Sequence, residues 1–464
     1  MPHLFISAAH KSSGKTTVSI GLCAALRARG LVVQPYKKGP DYIDPLWLSQ
    51  AAGRPCYNLD FYTMARAEIE QTFRQQLHGA DLGLVEGNKG LYDGLDLDGS
   101  NSNAALAALL GAPVVLVLDT RGMTRGVAPL ILGYQAFDPR IRIAGVILNH
   151  VGGPRHEGKL RQVIEHYTAV PVIGAVAQSR ELEIVERHLG LMPSNESSEA
   201  ARQIERLGSR IGEAVDLDAV LSIAAQAASV AAAAPAQVPP APKVRVGIAQ
   251  DEAFGFYYPG DLAALRLAGA QLVPFDTLHD EGLPEVDGLF IGGGFPESRM
   301  EQLEANAPMR EAVAAFIEAG GPAYAECGGL MYLARSLAWH GKVCRMTGVI
   351  PADVVMCERP QGRGYVRLSE TGESPWPASG DGSAEIAAHE FHYSRLENLA
   401  PGLRYAYRVL RGHGIDGDRD GIVHKNLLAS YTHLRDAGGN HWTRRFVAHV
   451  QACRDGVAGG AAKC

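Results

Sequence analysis

Short, nearly continuous apolar runs separated by longer stretches of mixed polarity set the rhythm of the first half of the chain. They read HLFISA (3–8), LVVQPY (31–36), DLGLVEG (81–87), PVVLVLD (113–119), RIAGVILN (142–149) and VPVIGAV (170–176). Runs of this length without polar alternation suit strands buried on both faces, and the mixed segments between them suit helices. The alternation predicts a parallel sheet with helices on both sides and ligand sites at the carboxyl ends of its strands. The rhythm stops at 227–243, AASVAAAAPAQVPPAPK, where apolar periodicity is lost and prolines block a regular helix. Such a segment reads as a semi-stiff linker. Beyond it the grammar restarts with KVRVGIAQ, AQLVPFD, VDGLFIGGG and GPAYAEC. The expected fold class is therefore α/β, with two doubly wound domains at 1–226 and 244–453. The last residues, RDGVAGGAAKC (454–464), are small and polar enough to form a flexible tail.

Composition narrows the chemistry. The 464 residues, 46% hydrophobic, are ample for two cores. Lys and Arg total 44 against 50 Asp and Glu, a formal net charge of -6, so no basic surface points to nucleic acid. The seven cysteines form no C-x-x-C pair, which excludes a zinc knuckle and gives no disulfide framework. No apolar run approaches the roughly 18 residues of a membrane span, and no basic leader precedes HLFISA. The expectation is a reduced, cytoplasmic protein with no membrane partner.

The stretch SAAHKSSGKTT (7–17) nearly spells a phosphate-binding loop, with Ala9 at the position of the first glycine. The loop lies between an expected strand and an expected helix, whose N-terminus presents free N–H groups and partial positive charge to an anion. Gly14, Lys15, Thr16 and Thr17 are the candidate phosphate contacts, with the Thr16 hydroxyl also a candidate Mg²⁺ ligand. Two further polar stretches follow strands at the same edge. KKGPDYIDP (37–45) offers Lys37, Lys38, Asp41 and Asp44, and EGNKGLYDG (86–94) offers Glu86, Lys89 and Asp93. Carboxylates there suit a metal shell, and lysines suit phosphate or an anionic substrate. Asp119 closes a strand either in the manner of a Walker B acid or as a plain turn residue, and Asn149 is placed either to read an adenine edge or simply to cap its strand.

After the linker, AYAECGGLMYL (323–333) reads as a strand, a cysteine between small residues and a helix, the arrangement of a nucleophile elbow. A helix N-terminus there is expected to lower the pKa of the Cys327 thiol. FIGGGFPE (290–297) supplies Gly293 and Gly294, which with Gly328 are candidates for an oxyanion hole. His433, in ASYTHLR, is the candidate base; a Cys–His pair is a standard device for attacking an amide carbon. HEFHYS (389–394) places two histidines three apart, one residue short of H-E-x-x-H and without a third ligand, so it reads as structural or substrate-facing.

A Cys–His amidase coupled to a nucleotide site suggests glutamine-dependent amidation, in which ATP activates an otherwise unreactive carboxylate. GKTT, QPYKKGPDYIDP, GRPCYNLD, VEGNKGLYDG, AFGFYY, IGGGFPE, ECGGLMYL, HEFHYS and SYTH occur in an order that resembles the cobyrinic acid a,c-diamide synthase family. The resemblance covers nearly all the chain outside the linker and tail. It implies an N-terminal domain similar to dethiobiotin synthetase and a C-terminal class I glutamine amidotransferase domain. It further implies ATP and Mg²⁺ as cofactors, with glutamine and a tetrapyrrole polycarboxylate as partners; the oligomeric state stays open, with a homodimer among the alternatives. By motif, Lys15 and Thr16 would serve ATP·Mg²⁺; Lys37 and Asn149 join the nucleotide candidates from their places at the strand ends. Thr16, Asp41 and Glu86 would be the metal residues, and Asp41, Tyr42, Ile43 and Asp93 would face the substrate; Lys89 joins the substrate-facing candidates from the reading of its own turn, as a departure from the motif. Cys327 would be the nucleophile and His433 its base.

Three departures stand out. Ala9 replaces a glycine. His433 is followed by Leu434 and Arg435 where many class I glutaminases carry Pro-Glu, so a third triad member is not expected. Lys89 replaces an apolar residue of corrin-specific members, which raises sirohydrochlorin or sirohaem as alternative substrates. Cobyric acid synthase is disfavoured by the GPDYIDP turn. A dethiobiotin-type ligase leaves Cys327 idle, and a partitioning ATPase requires a lysine where His10 stands.

Overall fold

All six apolar runs of the first half form strands, joined by a short one that the pattern does not signal. In chain order these are β1 (His3–Ala8), β2 (Val33–Lys38), β3 (Tyr57–Leu59), β4 (Leu82–Glu86), β5 (Val114–Asp119), β6 (Ile143–Val151) and β7 (Val172–Ala177). They lie in the order β3-β2-β4-β1-β5-β6-β7, with every pairing parallel. The chain crosses from one side of β1 to the other between β4 and β5, so the switch point of the sheet lies at the carboxyl end of β1. Helices α1 (Lys15–Ala28), α2 (Ile43–Ala52) and α3 (Ala200–Ala214) bury Val18, Leu22, Leu26, Trp47, Leu48, Leu207 and Ile211 in a core shared with β1 and β4. Each such fully buried side chain contributes about 1.5–3 kcal/mol, and this fixes α1 firmly behind the loop that precedes it.

This computed structural model describes residues 1–179, 182, 184, 186, 187, 190–196, 199–230, 237–377 and 385–461. The chain divides into two units, Met1–Ala236 and Gln237–Cys464. Of the expected linker, 231–236 lies outside the described residues, as does 462–464 of the expected tail.

The second unit carries β8 (Val244–Ala249), β9 (Ala270–Phe275), β10 (Gly288–Ile291) and β11 (Ala323–Glu326), all at the expected runs. Its sheet continues with β12 (Gly362–Glu370), β13 (Ile386–His392), β14 (Arg404–Arg411), β15 (Arg419–His424) and β16 (Leu427–Ser430). The order is β9-β8-β10-β11-β16-β15-β14-β12-β13. The five strands from β9 to β16 are parallel and the remaining pairings antiparallel. Antiparallel strands expose one face, so RYAYRVLR and GRGYVRLSE mix arginine with apolar residues and give no apolar run. Two cores flank this sheet, one of them built around Tyr324, Trp376, Trp442 and Phe446. After β11 come the short helix α4 (Gly328–Leu333) and finally α5 (Trp442–Ala461). The stretch expected to be a flexible tail from 454 is thus helical as far as Ala461, because a helix already nucleated at Trp442 propagates at little cost. Among the described residues no helix is long and apolar enough to cross a membrane, and the six described cysteines are free.

Candidate active sites

The first site forms where the chain leaves β1, turns through 9–14 and enters α1 at Lys15. Gly14 caps that helix with φ 85°, and a Cβ there would lie 2.0 Å from Nδ2 of Asn149. Both conformation and space demand glycine. The Asn149 amide donates to the carbonyl of Ser13 at 2.9 Å, so in this structure it braces the loop from the end of β6. Ala9 is not among the residues with positive φ, which explains why the turn tolerates a side chain there. Its carbonyl accepts the Tyr134 hydroxyl at 2.6 Å. Gly14→Ala is expected to lower stability by about 1–3 kcal/mol and to displace Asn149, seen as a reduced thermal midpoint of the full chain.

Lys15 is buried at the start of α1, and burial, reinforced by nearby Lys37, pulls its pKa down to about 8. Thr17, half-buried, follows in the same turn. Beside them lies a cluster of acids around Lys37. The Thr16 hydroxyl donates to Glu86 Oε1 at 2.7 Å and lies 3.2 Å from Asp44 Oδ2. Lys37 Nζ reaches Asp44 Oδ2 at 2.5 Å and Glu86 Oε1 at 2.8 Å. Burial opposes its charge, but Asp44 and Glu86 outweigh burial and hold Lys37 protonated. Glu86 is fully buried, which raises its pKa against the pull of Lys37, and its Oε2 has no hydrogen-bond partner among the described residues.

Here the structure corrects the choice of carboxylate. Asp44, not Asp41, stands with Glu86 beside Thr16. Asp41 Oδ1 accepts the N–H groups of Ile43 and Asp44 at 3.0 and 3.2 Å, so that oxygen is committed to starting α2. The other oxygen stays 3.8 Å from Lys37. Burial and then the charge of Asp44 push Asp41 up to about 7. Tyr42 is buried and Ile43 half-buried at the same helix start.

The remaining residues of this edge sit farther out. Asp93 is exposed and its Oδ2 caps the 86–94 turn by accepting Gly90 N–H at 2.8 Å. Lys89 is exposed with φ 40° on the same turn, and Lys38 is brought down to about 8 by burial, with Lys89 and Lys37 adding to the effect. Asp119, expected to act as a Walker B acid, pairs instead with Arg121 at 2.5 Å and His150 at 3.2 Å. Glu86, at the end of β4, is the strand-end acid that stands beside Thr16. Glu86, Asp44 and Thr16 are hard oxygen donors suited to Mg²⁺, which commonly takes one or two carboxylates and completes its shell with phosphate and water. No group of three or more His, Cys, Asp or Glu residues among those described could hold a metal alone.

The second site joins neighbouring strand ends. β11 and β16 run parallel with Glu326 beside Ser430, and Cys327 N–H donates to the Ser430 carbonyl at 2.7 Å. The residues that follow each strand, Cys327 and Tyr431–His433, therefore emerge at one edge. Cys327 adopts φ 48° and ψ −101°, a strained backbone of the kind stored at functional elbows. Burial, followed by Glu297, pushes its thiol up, so the helix start does not lower it as expected. The thiol rests protonated and needs a base.

His433 is buried and held by a two-way backbone bridge to His389, with its ring stacked on the His389 ring at 4.9 Å. A Cβ on Gly293 would lie 2.7 Å from His433 Cε1, and one on Gly328 would lie 3.0 Å from the Gly294 nitrogen. The glycine loop, the elbow and the histidine thus converge. Gly293 and Gly294 are paired with Phe256 and Phe254, which gives the AFGFYY segment its role: it holds the glycine loop. His392 stacks on Tyr431 at 3.9 Å and its Nδ1 contacts the Ser394 carbonyl, so the two HEFHYS histidines part and hold no metal together. The expected absence of a carboxylate near His433 is overturned: Glu326 Oε2 lies 3.3 Å from His433 Nδ1. The only signal was the acid immediately before the cysteine.

Comparison with known proteins agrees with this division. Residues 5–191 match the CobQ/CobB/MinD/ParA nucleotide binding domain family, and residues 245–440 match the CobB/CobQ-like glutamine amidotransferase domain family. The chain is 49% identical to the cobyrinate a,c-diamide synthase of Magnetococcus marinus, over 95% of this chain and 96% of that protein. The enzymes of the same name from Methanosarcina acetivorans and Methanothermobacter thermautotrophicus are 41% and 40% identical. Those matches each cover 94% of this chain, and 92% and 97% of the respective relatives.

Proposed function

The chain belongs to the cobyrinate a,c-diamide synthase family, and from that premise we propose that it amidates the a and c acetate carboxylates of cobyrinic acid, using glutamine as nitrogen source and ATP as driving force. The observation that carries this reading is the presence in one chain of a phosphate loop with an acid cluster and a buried Cys–His site. Neither alone explains the other. A carboxylate does not react with ammonia at neutral pH until its oxygen is made a leaving group, and a glutaminase alone would waste its ammonia.

In the second unit His433 takes the Cys327 proton as sulfur attacks the glutamine amide carbon. The oxyanion is met by N–H groups from Gly293, Gly294 and Gly328. The His433 imidazolium gives that proton to the departing nitrogen, ammonia leaves, and water hydrolyses the thioester to glutamate and the free thiol. In the first unit Gly14, Lys15 and Thr17 cradle the phosphates at the start of α1, with Lys37 and Asn149 supporting the nucleotide side. Thr16, Asp44 and Glu86 would hold Mg²⁺, which when bound neutralises phosphate charge and aligns the transferred group. Asp41, Tyr42, Ile43 and Asp93 form the substrate rim, where the exposed Lys89 meets a peripheral carboxylate. The acetate oxygen takes the γ-phosphoryl group, ADP departs, and ammonia displaces phosphate from the acyl phosphate to leave the amide. Product mass tests this reading. With cobyrinic acid, ATP and glutamine, two amides per molecule are expected, whereas an unchanged mass would refute it.

A further inference from the structure

Class I glutaminases commonly place a carboxylate two residues after the histidine, where this chain carries Arg435. Arg435 is buried with its guanidinium over the Tyr258 ring, and a cation there cannot accept a proton from imidazole. Glu326 approaches the same histidine from another direction. It closes β11, is buried, and sets Oε2 3.3 Å from His433 Nδ1. Its other oxygen, Oε1, accepts the Tyr324 hydroxyl at 2.5 Å and the Leu434 N–H at 2.9 Å. Two donors therefore fix one oxygen, and the second is left facing the imidazole.

We infer that Glu326 is the positioning carboxylate of this site, accepting the Nδ1 proton of His433 so that Nε2 is free to take the proton of the Cys327 thiol. The inference rests on the glutaminase reading above. Burial raises the pKa of the Cys327 thiol and favours its protonated form, so a histidine in the wrong tautomer could not activate it. Charge on Glu326 also stabilises the imidazolium formed as the proton moves.

The geometry makes Glu326→Gln unusually informative. Tyr324 O–H and Leu434 N–H both require an acceptor, so they hold the amide oxygen of the glutamine at the position of Oε1. The amide nitrogen must then face His433 and donate to Nδ1, which forces the ring proton onto Nε2 and removes the base. Glutaminase kcat is expected to fall by about 10²–10⁴-fold, the range seen when an orienting carboxylate of a hydrolase triad is neutralised. KM for glutamine should stay within about threefold, because Glu326 does not touch the substrate. Ammonium-supported synthesis should persist in the same preparation, reporting a folded first unit, and an unchanged thermal midpoint of the second unit, which carries Glu326, reports that it too is folded.

A purely structural brace gives a different pattern. Glutamine is isosteric with glutamate and would keep such a brace, whereas the shorter Glu326→Asp would lose it. Positioning demands the reverse order: aspartate, still an anion, should retain more kcat than glutamine. Glutaminase kcat in Glu326→Gln near the wild-type value, or above that of Glu326→Asp, would overturn the inference. Should Glu326→Gln fail to fold, Glu326→Ala takes its place: kcat below that of Glu326→Asp at unchanged KM supports positioning, and kcat equal to or above that of Glu326→Asp refutes it. Cys327→Ala run alongside separates the two levels. Lost glutamine use there, with an unimpaired Glu326→Gln, discards only the role of Glu326; retained glutamine use discards the glutaminase reading itself.

Discussion

Cys327→Ala is expected to abolish synthesis from glutamine while synthesis from added ammonium continues. The change removes the sulfur that forms the thioester, and among the described residues no other cysteine sits on a strand end beside His433. Loss of a covalent nucleophile costs on the order of 10⁶-fold in kcat, which places residual turnover below detection. The fold should survive. Alanine adopts φ 48° at much the same steric cost as cysteine and leaves only a small gap at the elbow. The backbone bond from residue 327 to the Ser430 carbonyl is untouched. Ammonium assays at mildly alkaline pH, where more of the nitrogen is free ammonia, compared with glutamine assays on the same preparation, check this directly.

Lys15→Ala is expected to stop both routes, because activation of the carboxylate precedes any use of ammonia. A single preorganised charge at a transferring group contributes about 10²–10³-fold to kcat, and weakened nucleotide binding adds to that loss. This variant should not unfold the protein. Lys15 is buried, is repelled by Lys37, and has no counter-ion bonded to it among the described residues. Its folded pKa of about 8 lies below the ordinary lysine value of 10.5, so between those values the unfolded chain binds more protons than the folded one. Stability from this group therefore rises with pH across that window, and Lys15→Ala should flatten the rise. Chemical denaturation at several pH values, beside ammonium-dependent turnover, gives both readings. Turnover with ammonium surviving in Lys15→Ala would contradict carboxylate activation at this loop.

The parallel strands were plain in the sequence because strands covered on both faces leave unbroken runs such as PVVLVLD and VILN. The antiparallel extension was not, since β12 and β14 carry arginines on their open face. Site residues followed the same physics. Lys15, Thr16, Glu86, Cys327 and His433 are placed by strand ends, which hydrophobic patterning marks well. The choice between Asp41 and Asp44 depended on which carboxylate started α2, a hydrogen-bonding detail that spacing along the chain does not encode. Glu326 was missed for a related reason. Its partner lies 107 residues away, and only the pairing of β11 with β16 brings the two together.

The central claim is that this chain turns the a and c acetate carboxylates of cobyrinic acid into amides at the joint expense of ATP and glutamine. The most direct test is mass spectrometry of cobyrinic acid and of sirohydrochlorin, each incubated with the full-length protein, ATP, Mg²⁺ and glutamine. The expected result is cobyrinic acid whose mass falls twice by the difference between a hydroxyl and an amino group, with glutamine labelled at its amide nitrogen passing the label to both positions. Unchanged cobyrinic acid, or amidation of sirohydrochlorin in its place, would contradict the claim.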